Sequence, residues 1–146
     1  MAAHALVIGG TRFVGRHTVQ EFLDAGYAVT LFNRGTHDDP FEADDRVDHI
    51  EGDRTKESDL RRAGLDLSPD VVVDCVAYHL RDVHVATDIF ADTGASVYVP
   101  SADASGADRV PRRAAAPPRE PCPVEAPTDD LPETYGQREA AGDRAL

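Results

Sequence analysis

The sequence predicts an α/β fold built on a doubly wound parallel sheet. Short apolar runs of strand length alternate with amphipathic stretches that stop at glycines. The runs are apolar on both faces, "DVVVDCVA" at 70–77 most plainly, as strands covered by helices on two sides must be. The first run ends abruptly on Gly9-Gly10, and Gly15 follows just as a helical pattern opens.

The elements follow in order. Residues 4–9, "HALVIG", make the first strand. "FVGRHTVQEFLDAG" carries Val19, Phe22 and Leu23 at helical spacing and closes on Gly26. "YAVTLFN" at 27–33 and "RVDHIEGD" at 46–53 are the second and third strands. "KESDLRRAG" at 56–64 reads as a helix closed by its glycine, and 70–77 is the fourth strand. "RDVHVATDIFADTG" at 81–94 places Val85 and Ile89, with Val83 or Ala86, on one side, and "ASVYVPS" at 95–101 is the fifth strand. Seven of the ten prolines then fall between Pro111 and Pro132, which predicts a long loop over about 102–132. "ETYGQREAAGDRAL" at 133–146 reads as a final helix.

Composition narrows the classes. The 146 residues suffice for a single domain, and no apolar run approaches a membrane span. "MAAHALVIGG" lacks a basic leader region, so a cytoplasmic location is expected. Cys75 and Cys122 have no metal spacing and are expected as free thiols. The six histidines likewise show no spacing suited to a metal.

The 27 acids, 19 of them Asp, against 15 basic residues give a net charge of −12, and Lys56 is the sole lysine. Such a surface repels phosphate backbones, which speaks against nucleic-acid partners. It also suits solubility in concentrated salt, so a halophilic, salt-adapted protein is one expectation and a merely acidic one the other. Arg109, Arg112, Arg113 and Arg119 lie among acids and read as a solvated loop.

A strand ending on Gly9-Gly10 before a helix at Gly15 is the βα turn of a Rossmann-type dinucleotide-binding unit. Glycine allows the tight turn and close helix packing, and the helix N-terminus offers N–H groups to a pyrophosphate. "VIGGTRFVGRH" resembles the phosphate-binding turn of the NAD(P)-dependent epimerase/dehydratase family, the extended and atypical short-chain dehydrogenase/reductases. The family's three glycines map onto Gly9, Arg12 and Gly15, so the middle one is replaced. The "GGTRF" form is similar to an atypical branch that includes sugar-nucleotide epimerases and chloroplast stem-loop RNA-binding proteins.

The resemblance implies a cofactor site over Gly9, Gly10, Thr11, Arg12, Phe13, Val14 and Gly15, where the Arg12 guanidinium could pair with phosphate oxygens or simply face solvent. "LFNRG" ends the second strand with Asn33-Arg34 and no acid, which favours NADP(H) over NAD(H), a turn arginine being the alternative. Asp53, in "GDR", stands where the family's acid meets the adenine amino group; a helix N-cap role competes. Val76 and Ala77, in "CVAY", fall where the fourth strand passes the cofactor ribose.

In this family a tyrosine is the general acid/base, and a lysine four residues later lowers its pKa. Ser101 and Tyr135 take the catalytic serine and tyrosine positions, with Pro100 where another serine is usual. Glu139 occupies the lysine position, and a carboxylate there raises the pKa of the phenol. Arg138 is one position away. The chain is about half the family's length, so the C-terminal substrate domain is expected to be absent and the sheet incomplete on that side.

The resemblance therefore implies a dinucleotide-binding oxidoreductase or epimerase acting on a sugar nucleotide or similar alcohol, and it is compatible with a homodimer. A nucleotide-binding module without catalysis is the alternative, with RNA binding a weaker third.

Overall fold

The structure, a computed structural model, describes residues 1–99. The proline-rich segment, the helix expected at 133–146, Cys122 and the positions Ser101, Tyr135, Arg138 and Glu139 lie outside them.

Eight elements succeed one another: β1 (His4–Ile8), α1 (Phe13–Asp24), β2 (Ala28–Asn33), β3 (Val47–Glu51), α2 (Glu57–Asp66), β4 (Val71–Asp74), α3 (Leu80–Ile89) and β5 (Ala95–Tyr98). The strands form one sheet in the order β3-β2-β1-β4-β5. β1 runs parallel to both β2 and β4, and β2 runs parallel to β3. This is the doubly wound order, in which the chain leaves β3 at one edge and crosses back beyond β1.

Register sets the working edge of the sheet. Ile8 lies level with Phe32 on one side and Asp74 on the other, while Asn33 lies level with Glu51. The carboxyl ends of β1, β2, β3 and β4 therefore come out together, and the residues just beyond them share one rim.

β1 is the central strand, and Ala5, Leu6, Val7 and Ile8 are wholly inaccessible. Alternation sends Ala5 and Val7 to the face where they pack with Val19 and Leu23 of α1, Val29, Leu31 and Phe41. Each large side chain removed from water there contributes about 1.5–3 kcal/mol. Phe22, the middle residue of the predicted helical stripe, packs on the rim of this cluster and against Tyr27 at 5.1 Å between ring centroids. β3 is the exposed edge, and its start is pinned by Arg46, which donates to the Leu23 carbonyl and pairs with Asp44.

Most element ends shift by a residue or two, β3 for instance closing at Glu51 rather than 53, and three boundaries differ for a reason visible in the structure. α2 does not close at Gly64 but continues to Asp66, because Gly64 is where the helix presses on Ile89: a Cβ there would lie 2.6 Å from Ile89 Cγ2. β4 ends at Asp74 rather than 77, since the Asp74 carboxylate turns back to accept the Val76 N–H and breaks the strand. α3 stops at Ile89, and a turn bonded from Thr93 N–H to the Phe90 carbonyl leads into β5.

The chain divides into two compact units. The first comprises Met1–Val76 and Ala86–Val97, and it holds the cluster around Val7. In the second, which includes Ala77–Val85 and Tyr98, the buried residues Ala77, Val83 and Tyr98 cluster together. There Asp82 Oδ2 accepts the N–H groups of Tyr78 and His79 at 3.2 Å each, capping the start of α3.

Candidate functional site

The rim of the first unit is built from the turn after β1. Gly9 has φ +86°, and its N–H donates to the Phe32 carbonyl at 3.0 Å. A Cβ at Gly9 would stand 2.6 Å from Val76 Cγ1, so both backbone conformation and space demand glycine. At Gly15, in the first turn of α1, a Cβ would run into the Gly9 carbonyl oxygen. The helix thus sits directly on the turn. Gly10 faces inward, where Leu31 and Val19 occupy the space a side chain would need, and Thr11 is half-buried.

Arg12 is the N-cap of α1, in extended conformation, and makes no side-chain capping bond. No acid lies in the first turn. Phe13 has φ +46°, a strained setting for an aromatic residue, and is 78% exposed; Val14 is exposed beside it. The Arg12 guanidinium stacks 5.2 Å from the Phe13 ring, and its Nη1 lies 3.3 Å from His37 Nε2. Arginine can only donate, so this contact makes Nε2 the acceptor. The N-terminus of α1 is left with its positive dipole end and a guanidinium facing solvent, an arrangement suited to phosphate oxygens.

At the end of β2, Asn33 Oδ1 accepts the Gly35 N–H and meets His49 Nε2, both at 2.8 Å. Asn33 Nδ2 is buried and has no hydrogen-bond partner among the described residues. Arg34 is exposed. The Glu51 carboxylate approaches the same turn, with Oε2 3.5 Å from the position of a Cβ on Gly35. An acid does stand at this corner, but it is supplied by β3 and not by β2.

Asp53 is not the N-cap of α2; that position is Lys56. Its Oδ1 instead accepts both the Thr55 N–H at 2.9 Å and the Thr55 hydroxyl at 2.7 Å, while its own N–H donates to Asp59 Oδ2. The Thr55 bonds, helped by Lys56 and Arg34, hold the Asp53 carboxyl below the usual carboxylate range. Val76 is half-buried and touches the space above Gly9, whereas Ala77 lies in the second unit. Cys75, between Asp74 and Val76, is pushed up to about 11 by burial and secondarily by the Asp74 charge, so it is a protonated thiol at neutral pH.

The structure thus brings Gly9, Gly10, Gly15 and Val76 into contact and sets Arg34 close enough to Asp53 to act on its charge. The reading of single residues missed the buried pair of Arg54 with Asp74, 2.7 Å apart. Its signal was available: an acid closing the otherwise apolar run "VVVD" requires a buried partner.

Fold and rim together define an α/β protein of the doubly wound class, with a glycine turn of the kind at which that class takes nucleotides. The model of the NAD dependent epimerase/dehydratase family matches residues 5–99, well over half of the sequence, and the chain belongs to that family. No curated protein matches it in sequence.

Among solved structures it is similar to UDP-glucose 4-epimerase from Brucella ovis in complex with NAD, at 20% identity and TM-score 0.72 over 99% of this chain and 47% of that one. The Bordetella bronchiseptica enzyme WbmG, in complex with NAD and UDP, matches at 18% identity and TM-score 0.70 over 99% and 49%. A short-chain dehydrogenase/reductase from Veillonella parvula in complex with NADP matches at 21% and 0.69 over 100% and 64%. The chain therefore spans from about half to just under two thirds of the length of these neighbours, and at such identities they speak to the fold.

Proposed function

We propose that this chain is the dinucleotide-binding domain of an epimerase/dehydratase-like oxidoreductase acting on a sugar nucleotide or similar alcohol. The observation that carries the reading is the Gly9–Gly15 turn. Helix α1 rests on it without room for a single carbon, and the N-terminus of that helix carries no side-chain cap. The segment Gly9, Gly10, Thr11, Arg12, Phe13, Val14 and Gly15 would receive the pyrophosphate, with Arg12 adding charge where the family usually has glycine. Asp53, held ionised, would accept from the adenine amino group, and Val76 and Ala77 would line the ribose. The buried Asn33 Nδ2, lacking a partner among the described residues, fits a donor kept for a ligand oxygen.

Arg34 favours NADP(H) over NAD(H), because a guanidinium suits a 2′-phosphate. Glu51 beside the same turn opposes it, so the preference is a modest one. When bound, the cofactor supplies hydride transfer; the chain's own residues grip and orient it. Ser101 would polarise the substrate oxygen and Tyr135 would move its proton. We read 1–146 as one such domain, cytoplasmic and compatible with a homodimer.

A second reading, nucleotide binding without chemistry, is favoured by Glu139. An ionised carboxylate four residues after Tyr135 opposes phenolate formation and offers no donor to the ribose. Glu139→Lys separates the two readings. A rise of at least tenfold in NADP-linked turnover of UDP-sugars supports an enzyme hampered at one position. Unchanged absence of turnover, with cofactor binding intact, supports the binding module.

A further inference from the structure

The rim carries a buried ion pair that the proposed function does not use. Arg54 follows Gly52-Asp53 in the connection from β3 to α2, and Asp74 is the last residue of β4. Arg54 Nε donates to Asp74 Oδ2 at 2.9 Å and Nη2 to the same oxygen at 2.7 Å. The two side chains are only 8% and 7% exposed. Burying two charges costs several kcal/mol per ion, and apolar replacements of both are often neutral or stabilising. Stability is therefore a poor reason for the pair, and geometry is the better one.

The pair connects three segments. Asp74 Oδ1 accepts the Val76 N–H at 3.0 Å, which shapes the turn leaving β4. Val76 in turn fills the space above Gly9. On the other side Arg54 is covalently next to Asp53, whose carboxylate is closed on Thr55 and whose amide is held by Asp59. One contact thereby ties the β3–α2 connection to the β4 turn and, through Val76, to the glycine turn. All of these residues belong to the first unit.

We infer that Arg54 and Asp74 are positioning residues for dinucleotide binding, a clamp that keeps Asp53, Val76 and the Gly9 turn at the separation at which the adenosine half of the cofactor is gripped. The inference rests on the nucleotide-binding reading above. Both side chains are buried, so the clamp acts through the residues it holds.

The test uses the full chain and its variants Arg54→Met, the double variant Arg54→Met with Asp74→Leu, and a core control, Val29→Ala. NADPH affinity is measured by fluorescence, folding by thermal unfolding, and exchange of the Val76 amide by NMR. The double variant leaves no lone buried charge, so it should fold as well as the parent yet bind NADPH at least tenfold more weakly. Val29→Ala should melt earlier with its affinity unchanged, which a merely structural role for the pair would also predict for the double variant. In the parent, exchange at Val76 should slow when NADPH is added.

A folded double variant with the parent's affinity overturns the clamp while leaving the nucleotide-binding reading intact. Should neither variant fold, the parent decides: Val76 exchange that NADPH does not alter overturns the clamp. Failure of the parent itself to bind overturns the nucleotide-binding reading and the clamp with it.

Discussion

Gly15 has no spare volume, because a methyl group there meets the Gly9 carbonyl oxygen. Backbone cannot yield as a side-chain tip can, so Gly15→Ala must lift α1 off the turn. We expect a loss of about 1–3 kcal/mol in stability, the usual cost of overpacking, read from urea denaturation. NADPH affinity should fall more than tenfold, since the N–H groups of α1 would be displaced from the turn that aims them. Gly9 and Gly15 were legible in the sequence because for glycine the residue type is itself the structural statement. The position of Asn33 at the end of β2 was legible too, but its partner was not. Its bond to His49 spans 16 residues and exists only because parallel register sets β2 beside β3. Glu51 reaches the Arg34 turn for the same reason, a neighbour in the sheet that reading along the chain does not supply.

At the level of elements, alternation and helical spacing identified every strand and helix of residues 1–99, and their order implied a parallel sheet. The ends were less legible, and the largest differences have a physical cause. A glycine in a helical pattern reads as a stop, but Gly64 is a point of contact. Replacing it with alanine brings a gain of about 1 kcal/mol in helix propensity. That gain is opposed by a carbon placed 2.6 Å from Ile89 Cγ2, a branch fixed close to its own backbone. We expect Gly64→Ala to be destabilising overall by about 1–2 kcal/mol, seen as a lower urea midpoint with an unchanged slope. A more stable variant would mean that Ile89 moves freely. The sequence alone extends β4 too far because "VVVDCVA" stays apolar past the strand's end. What stops it is the engagement of Asp74 with Arg54 and the Val76 amide, a tertiary event.

Across the whole molecule the dominant feature is charge. A net −12 on 146 residues with a single lysine makes the surface repel itself at low ionic strength. The ion pairs at Asp44–Arg46 and Glu57–Arg61 are exposed, and such pairs contribute little. Screening should therefore help more than it harms. We expect the melting temperature to rise as KCl is increased from 0.1 M to 2 M, followed by circular dichroism. A fall over that range would show that surface ion pairs matter more than repulsion, and would argue against a salt-adapted protein. Among the described residues no helix is long and apolar enough to cross a membrane.

Whether the Gly9–Gly15 turn receives a dinucleotide is tested most directly by titrating the full chain with NADPH and NADH. Cofactor fluorescence should be followed at low and at multi-molar salt, with folding checked in the same samples. We predict saturable binding of both cofactors, NADPH modestly the tighter through Arg34, and abolished or greatly weakened by Gly15→Ala. Absence of saturable binding by the folded chain at either salt concentration would contradict the account.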